Sequence, residues 1–174
     1  DIGLASGTNL PGNEWFAPVT VVERVPAGSV ALFNRRGRRV TLNDDEALML
    51  TSGKRSLVRE APVLFVGKGN VLPGRNELGG RVALLLDSGD ASATRQNALL
   101  EAGAAGVLTV LDDERTLASV EARRKRSGYA LASDVLGGDL EGFVTARGFD
   151  RALAGSDLSL AGLEAQAARA GFAP

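Results

Sequence analysis

Residues 81–111 read RVALLLDSGDASATRQNALLEAGAAGVLTVL. Two apolar runs, Arg81–Leu86 and Val107–Leu111, flank a helix-like stretch, Ser92–Ala102. Each run is too continuous for a strand with one wet face, so each reads as a strand covered on both faces. Ala98, Leu99 and Ala102 share one face of the intervening stretch, and Arg95 and Gln96 turn away from it. Asp90 suits the N-cap and Gly103 the residue that ends the helix at positive φ. Strand, helix and strand of these lengths predict a right-handed parallel crossover. A third run, Ala61–Val66 (APVLFV), precedes it and reads as one more strand covered on both faces.

Upstream, short strand patterns alternate with turn signals. Strands are expected near 19–25, 30–33 and 38–42, separated by Pro26-Ala27-Gly28-Ser29 and Asn34-Arg35-Arg36-Gly37, with a short strand at Ala47–Leu50. Val71–Asn76 reads as a short loop. Downstream, helices are expected near 114–126, 146–153 and 159–170 and strands near Tyr129–Ala132 and 140–145, with Ser159 as a cap and Gly171 as a stop.

At 174 residues the chain suits one domain, or one domain with appendages. A hydrophobic content of 44% and a charged content of 24% are those of an ordinary globular protein. The net charge of −1 gives no general attraction to nucleic acid or anionic lipid, so neither is an expected partner. No apolar run reaches the roughly 20 residues of a spanning helix. With 0 Cys, neither a disulfide framework nor thiolate chemistry can be built. With 0 His, the commonest general base and the commonest zinc ligand are both missing. An all-carboxylate site remains open. The start at Asp1, without Met, reads as a trimmed or processed piece.

Three places invite chemistry. Ser88-Gly89-Asp90 follows a strand and precedes a helix, where open α/β sheets often bind ligands, and it also fits a plain turn with an N-cap. Asp112-Asp113-Glu114 follows the next strand; it fits a metal or acid–base cluster, and also the acidic start of a helix. Trp15 and Phe16 offer an apolar contact surface. Two weaker motifs read as turns. Asn43-Asp44-Asp45-Glu46 lacks the Gly and distal Glu of a calcium loop, and Gly67-Lys68-Gly69-Asn70 lacks the spacing and following helix of a phosphate loop. The basic run Arg123-Arg124-Lys125-Arg126 suits the last turn of a helix.

Three segments, Ala61-Pro62-Val63-Leu64-Phe65-Val66-Gly67, Leu78-Gly79-Gly80-Arg81-Val82-Ala83-Leu84 and Glu101-Ala102-Gly103-Ala104-Ala105-Gly106-Val107-Leu108, with Arg95 before the last, resemble the protease-associated domain. Gly12-Asn13-Glu14-Trp15-Phe16-Ala17-Pro18-Val19 and the exit from Gly142-Phe143 to Pro174 are similar to the flanks of that domain where it is inserted in zinc aminopeptidases of the glutamate-carboxypeptidase-like family. The short Val71–Asn76 loop, and Lys68 in place of an aromatic, depart from the family pattern.

The resemblance implies an α/β (α+β) fold, a β-sandwich or open barrel with flanking helices and a parallel crossover. It implies an entry linker over 1–18, the domain itself over 19–145 and a helical exit over 146–174. It further implies a fragment without catalytic, cofactor or metal residues of its own. The two zinc ions would belong to a peptidase domain outside this sequence, and the partners would be that domain and a peptide or protein substrate. A secreted, periplasmic or cell-envelope location goes with that family. The competing reading is a free-standing binding or hydrolytic domain that uses Ser88, Asp90 and Asp112.

Overall fold

The computed structural model describes residues 21–23, 28–34, 36–51, 57–68, 71–112, 115–126, 129–131 and 140–174. The expected crossover is present. Strand β6 (Val82–Leu86) leads through helix α2 (Ala91–Glu101) into β7 (Gly106–Val110), and the two strands pair in parallel, Leu84 beside Leu108. They lie inside a five-stranded sheet in which β5 (Val63–Phe65), β6, β7 and β9 (Leu140–Val144) run parallel, and β4 (Ala47–Thr51) closes one edge antiparallel to β9. The order is β4-β9-β7-β6-β5. Two short ribbons complete the strands: β1 (Val21–Glu23) with β8 (Tyr129–Leu131), and β2 (Ala31–Phe33) with β3 (Arg39–Thr41).

Side-chain alternation sorts the core into two faces. Leu84, Leu86, Leu108, Val110 and Val144 point to one face. There they meet Phe149 and Ala152 of α4 (Ala146–Leu153), Leu160 and Leu163 of α5 (Leu160–Ala167), and Val40 and Leu42 at the β2–β3 ribbon. Ala83, Leu85 and Val107 point to the other face, under Leu78 of the one-turn helix α1 (Arg75–Leu78) and Leu99 of α2. Farther along that face, Phe143 and Leu111 meet Val120 of α3 (Leu117–Arg126), with Leu48 and Leu50 packed beside them. Helices thus cover both sides of the sheet. Each fully buried Leu contributes roughly 1.5–3 kcal/mol.

Glycines set the turns where a side chain would not fit. Gly103 stands at φ +104 directly after α2, and the chain re-enters the sheet at Gly106, where an added Cβ would lie 3.1 Å from the Leu140 carbonyl oxygen. Gly67 is a second such place. Its φ is +59, and a Cβ there would meet the Phe172 ring at 2.9 Å. Phe172 also packs edge-on against Phe65, with ring centroids 5.6 Å apart. Gly67 therefore serves close packing of the residues after α5, which gives it a purpose unrelated to phosphate.

Several expectations need correcting. Ala61–Val66 is not covered on both faces, since Val63 of β5 is 48% exposed; β5 is also an edge strand of this sheet. The stretch read as a loop at Val71–Asn76 leads into helix α1 after Pro73-Gly74, with the Gly74 N–H donating to the Glu77 carboxylate at 2.8 Å. Helix α3 begins at Leu117 rather than 114, because Thr116 takes the capping role and accepts from the Ser119 N–H at 3.1 Å. Helix α5 ends at Ala167, four residues before Gly171. Its start is as expected, with Ser159 accepting from the Gly162 N–H at 3.1 Å. Trp15, Phe16 and Asp113 lie outside the described residues.

Candidate functional site

The carboxyl ends of the parallel strands carry a polar cluster built around Asp87, the residue after β6. Its side chain is fully shielded from solvent. Three donors converge on its Oδ1: the Ser92 hydroxyl at 2.5 Å, the Gly89 N–H at 3.1 Å and Arg115 Nη1 at 2.9 Å. Arg115 Nη1 also reaches Oδ2 at 3.1 Å and the Gly89 carbonyl at 3.3 Å. Gly89 sits at φ +67, which lets the loop curl until its own N–H faces back to Asp87.

A chain of hydroxyls runs into this carboxylate from the other side. Arg95 Nη1 donates to the Ser88 hydroxyl at 2.5 Å, and the Ser88 and Ser92 oxygens are 3.3 Å apart. Because the Ser92 proton is committed to Asp87, Ser88 is the donor in that pair. Ser92 Oγ accepts in addition from the Ser88 N–H at 2.9 Å. The direction is therefore fixed from Arg95 through Ser88 and Ser92 to Asp87, with Arg115 closing the far end. One buried negative charge is met by one guanidinium and two neutral donors, which is what makes its burial tolerable. One turn further into α2, Gln96 is buried with Leu99 rather than turned away from it as expected, because it donates to the Thr109 hydroxyl at 2.7 Å and ties the helix to β7.

Among the described residues, no buried side-chain nitrogen or oxygen is left without a partner. The fully buried polar atoms of the cluster are thus satisfied within the chain. Strands β5, β6, β7 and β9 occupy successive positions, and α1, α2 and α3 all pack on one face, so the described strands contain no reversal of winding of the kind that opens a crevice. An open depression of about 430 Å³ does lie nearby. Asp44, Asp45, Glu121, Thr145 and Arg115 are among its lining residues. Among the described residues, no three carboxylates converge closely enough to hold a metal ion.

Of the residues singled out from sequence, Ser88 and Gly89 belong to this cluster. Asp90 does not: it holds the N-cap position without capping, its side chain is fully exposed, and its carboxylate lies 4.0 Å from Arg123. Asp112 is exposed and accepts from the Arg115 N–H at 3.1 Å, which helps aim Arg115 at Asp87. Asp87, Ser92 and Arg115 were not anticipated. Asp87 stood in plain view at the end of an apolar run, where a lone carboxylate at a strand end asks for a partner. Arg115, 28 positions away, offered no local signal.

A second ion pair lies at the same end of the sheet. Glu46, read as part of a solvated turn, is in fact buried and paired with Arg151 of α4, while Asp44 and Asp45 stay exposed as expected. The Arg151 side chain donates to both Glu46 oxygens and to the Thr41 carbonyl, and the Asn43 N–H donates to Glu46 at 2.9 Å. The hydrogen bonds from Arg151, with that from Asn43 behind them, lower the Glu46 pKa from 4.5 to about 2.

No protein-family model matches the chain, and no curated protein matches it. No helix among the described residues is long and apolar enough to cross a membrane.

Proposed function

We propose that this chain is a non-catalytic protease-associated-like module of a zinc-dependent aminopeptidase, carried over the active-site cleft to shape which substrates enter. The reading starts from the sequence resemblance. The observation that carries it furthest is the crossover itself: the segments that bear the resemblance form adjacent parallel strands, and the Gly103–Gly106 return is tight enough to need small residues. Residues 43–46, 87–90, 111–112 and 115 gather at one end of the sheet, where a rigid scaffold could hold them over a neighbouring site. Catalytic zinc ligands would come from sequence outside these residues, since the chain has 0 His and 0 Cys.

The competing hydrolase reading needs Ser88, Asp90 and Asp112 to converge. It draws little support from a geometry in which Asp90 turns to solvent and the Ser88 hydroxyl donates to Ser92 rather than to a base. The test is the full-length gene product. It is expected to bind zinc through ligands outside this segment and to cleave an aminoacyl nitroanilide. Replacing this segment by a short Gly/Ser linker is expected to leave that small substrate nearly untouched and to change KM for peptides of ten or more residues. A full-length product without zinc ligands, or one whose turnover is abolished by Ser88→Ala, would overturn the reading.

A further inference from the structure

Four of the 20 basic residues stand within Arg35–Arg39 (RRGRR), where β2 turns into β3. Arg36, Arg38 and Arg39 are exposed, and among the described residues none of the three pairs with a carboxylate, unlike Arg115 and Arg151. The turn is preformed. Asn34 Oδ1 accepts from the Arg36 and Arg38 N–H groups at 3.0 Å each, and Gly37 takes φ +75. A Cβ on Gly37 would meet nothing within 4 Å, so the tip stands out into solvent. Apolar side chains accompany the charges. Val40 points into the core, so by strand alternation Phe33 and Arg39, opposite each other in the register, share the outer face of the ribbon. Phe33 is 54% exposed there. Arg38 Nη1 donates to the Ala154 carbonyl at 3.2 Å and holds the ribbon to the turn that carries Leu158, which is also 54% exposed.

We propose that this tip docks the chain on a bilayer surface rich in anionic phospholipid, with Arg36, Arg38 and Arg39 on headgroup phosphates and Phe33 and Leu158 entering the boundary beneath them. Charge complementarity sets the sign of the partner: three guanidinium groups without counter-charges ask for an anionic surface. Shape and apolar content set its class. A single nucleic-acid strand is held in a basic groove that tracks its backbone, and this tip is a projection. Duplex phosphates would leave Phe33 and Leu158 without an apolar partner. A lipid surface accepts a projecting tip and takes both the charges and the apolar side chains. The net charge of −1 is no obstacle, because charges more than about 8 Å away are largely screened at physiological salt, so the tip acts by its local charge. The preformed turn adds little ordering cost on docking. The inference stands independently of the proposed peptidase role.

Co-sedimentation of the purified chain with vesicles tests it, using about 30% phosphatidylglycerol in phosphatidylcholine against phosphatidylcholine alone. Partition is expected onto the anionic vesicles only, and raising the salt from about 0.05 M to about 0.5 M should weaken it at least about tenfold. Arg36→Gln, Arg38→Gln and Arg39→Gln are each expected to weaken partition about threefold to fivefold, and the three together about thirtyfold to a hundredfold. Phe33→Ser, on the outer face, is expected to weaken it about fivefold to tenfold. A melting temperature within about 2 °C of the parent checks that each variant folds. Absence of partition, equal partition onto both vesicles, or a triple variant that binds like the parent overturns the proposal. So does partition that needs the arginines but ignores Phe33→Ser, which leaves the tip to an acidic protein surface. Tighter binding to a single-stranded oligonucleotide than to the vesicles at equal phosphate concentration overturns it too, in favour of nucleic acid.

Discussion

Replacing Arg115 by Met removes the counter-charge of a carboxylate that has no access to water. Asp87 would keep two donors, the Ser92 hydroxyl at 2.5 Å and the Gly89 N–H at 3.1 Å, and would lose the guanidinium that spans both of its oxygens. Counting every Arg115 contact as a separate charged bond, at about 1.5–3 kcal/mol each, would overstate the loss, because all of them come from the single nitrogen Nη1. Breaking a buried pair from one side costs about 3–5 kcal/mol. The donors that remain, and the partial exposure of Arg115 at 19%, place the expected loss at the lower end, about 3 kcal/mol. For a chain of this size that corresponds to a fall in melting temperature of about 6–12 °C. Urea unfolding followed by circular dichroism measures it, and an unchanged m-value shows that the unfolded state is the same. Asp87→Asn alone should cost less, and the double variant should be less destabilised than the sum of the two, by about 1–2 kcal/mol. A loss below about 1 kcal/mol for Arg115→Met, or a gain, would refute the view that this cluster locks the loop. A gain would instead mark Arg115 as a residue held at a cost to stability for some binding task.

Three other expectations follow from the same geometry. Because the Glu46 pKa falls from 4.5 to about 2 on folding, its pair with Arg151 stabilises the fold fully above pH 4.5 and progressively less as the pH drops toward 2; Arg151→Gln should flatten that part of the urea-midpoint profile. Gly142→Ala should cost about 1–3 kcal/mol in chemical denaturation, since its Cβ would stand 2.7 Å from Leu108 Cδ1 and 2.9 Å from Met49 Sδ, and Met49→Ala should recover part of the loss. Gln96→Leu should cost about 1–3 kcal/mol by leaving the fully buried Thr109 hydroxyl without its donor, and adding Thr109→Val should bring stability back to within about 1 kcal/mol of the parent.

The central crossover was legible because its signal is local. Leu84, Leu85 and Leu86 are consecutive and all buried, which only a strand covered on both faces allows, and Gly103 marks the helix end by conformation alone. The same rule misled at Val63. An apolar run does not reveal whether a further strand lies beyond it, so the edge of the sheet was invisible. Helix α1 is a single turn, too short for any period to register. The polar pairs show the sharper limit. Asp87 with Arg115, and Glu46 with Arg151, join residues brought together only by the order of the strands. In a sequence each carboxylate looks like one more turn residue. Asp90 failed in the opposite sense: its position at the helix start was right, but the acceptor beside that helix is Asp87, reached through Ser92, and the Asp90 side chain was left to solvent.

The packing of α5 bears on how late one face of the sheet can be covered as the chain folds. Leu160 and Leu163 cover the same face of the sheet as Leu84, Leu86, Leu108 and Val110, and Phe172 seals against Phe65 and Gly67. Up to β9 the chain holds all five strands of this sheet, and Val40 and Leu42 at the β2–β3 ribbon cover only part of this face. Phe149 and Ala152 of α4 and then Leu160 and Leu163 of α5 complete the cover, so an intermediate in which only the sheet has formed exposes leucine and valine on this side. A variant ending just after Leu153 would keep α4 but lose Leu160, Leu163 and Phe172 from that side, which uncovers part of its leucine and valine surface and makes it a client for chaperones.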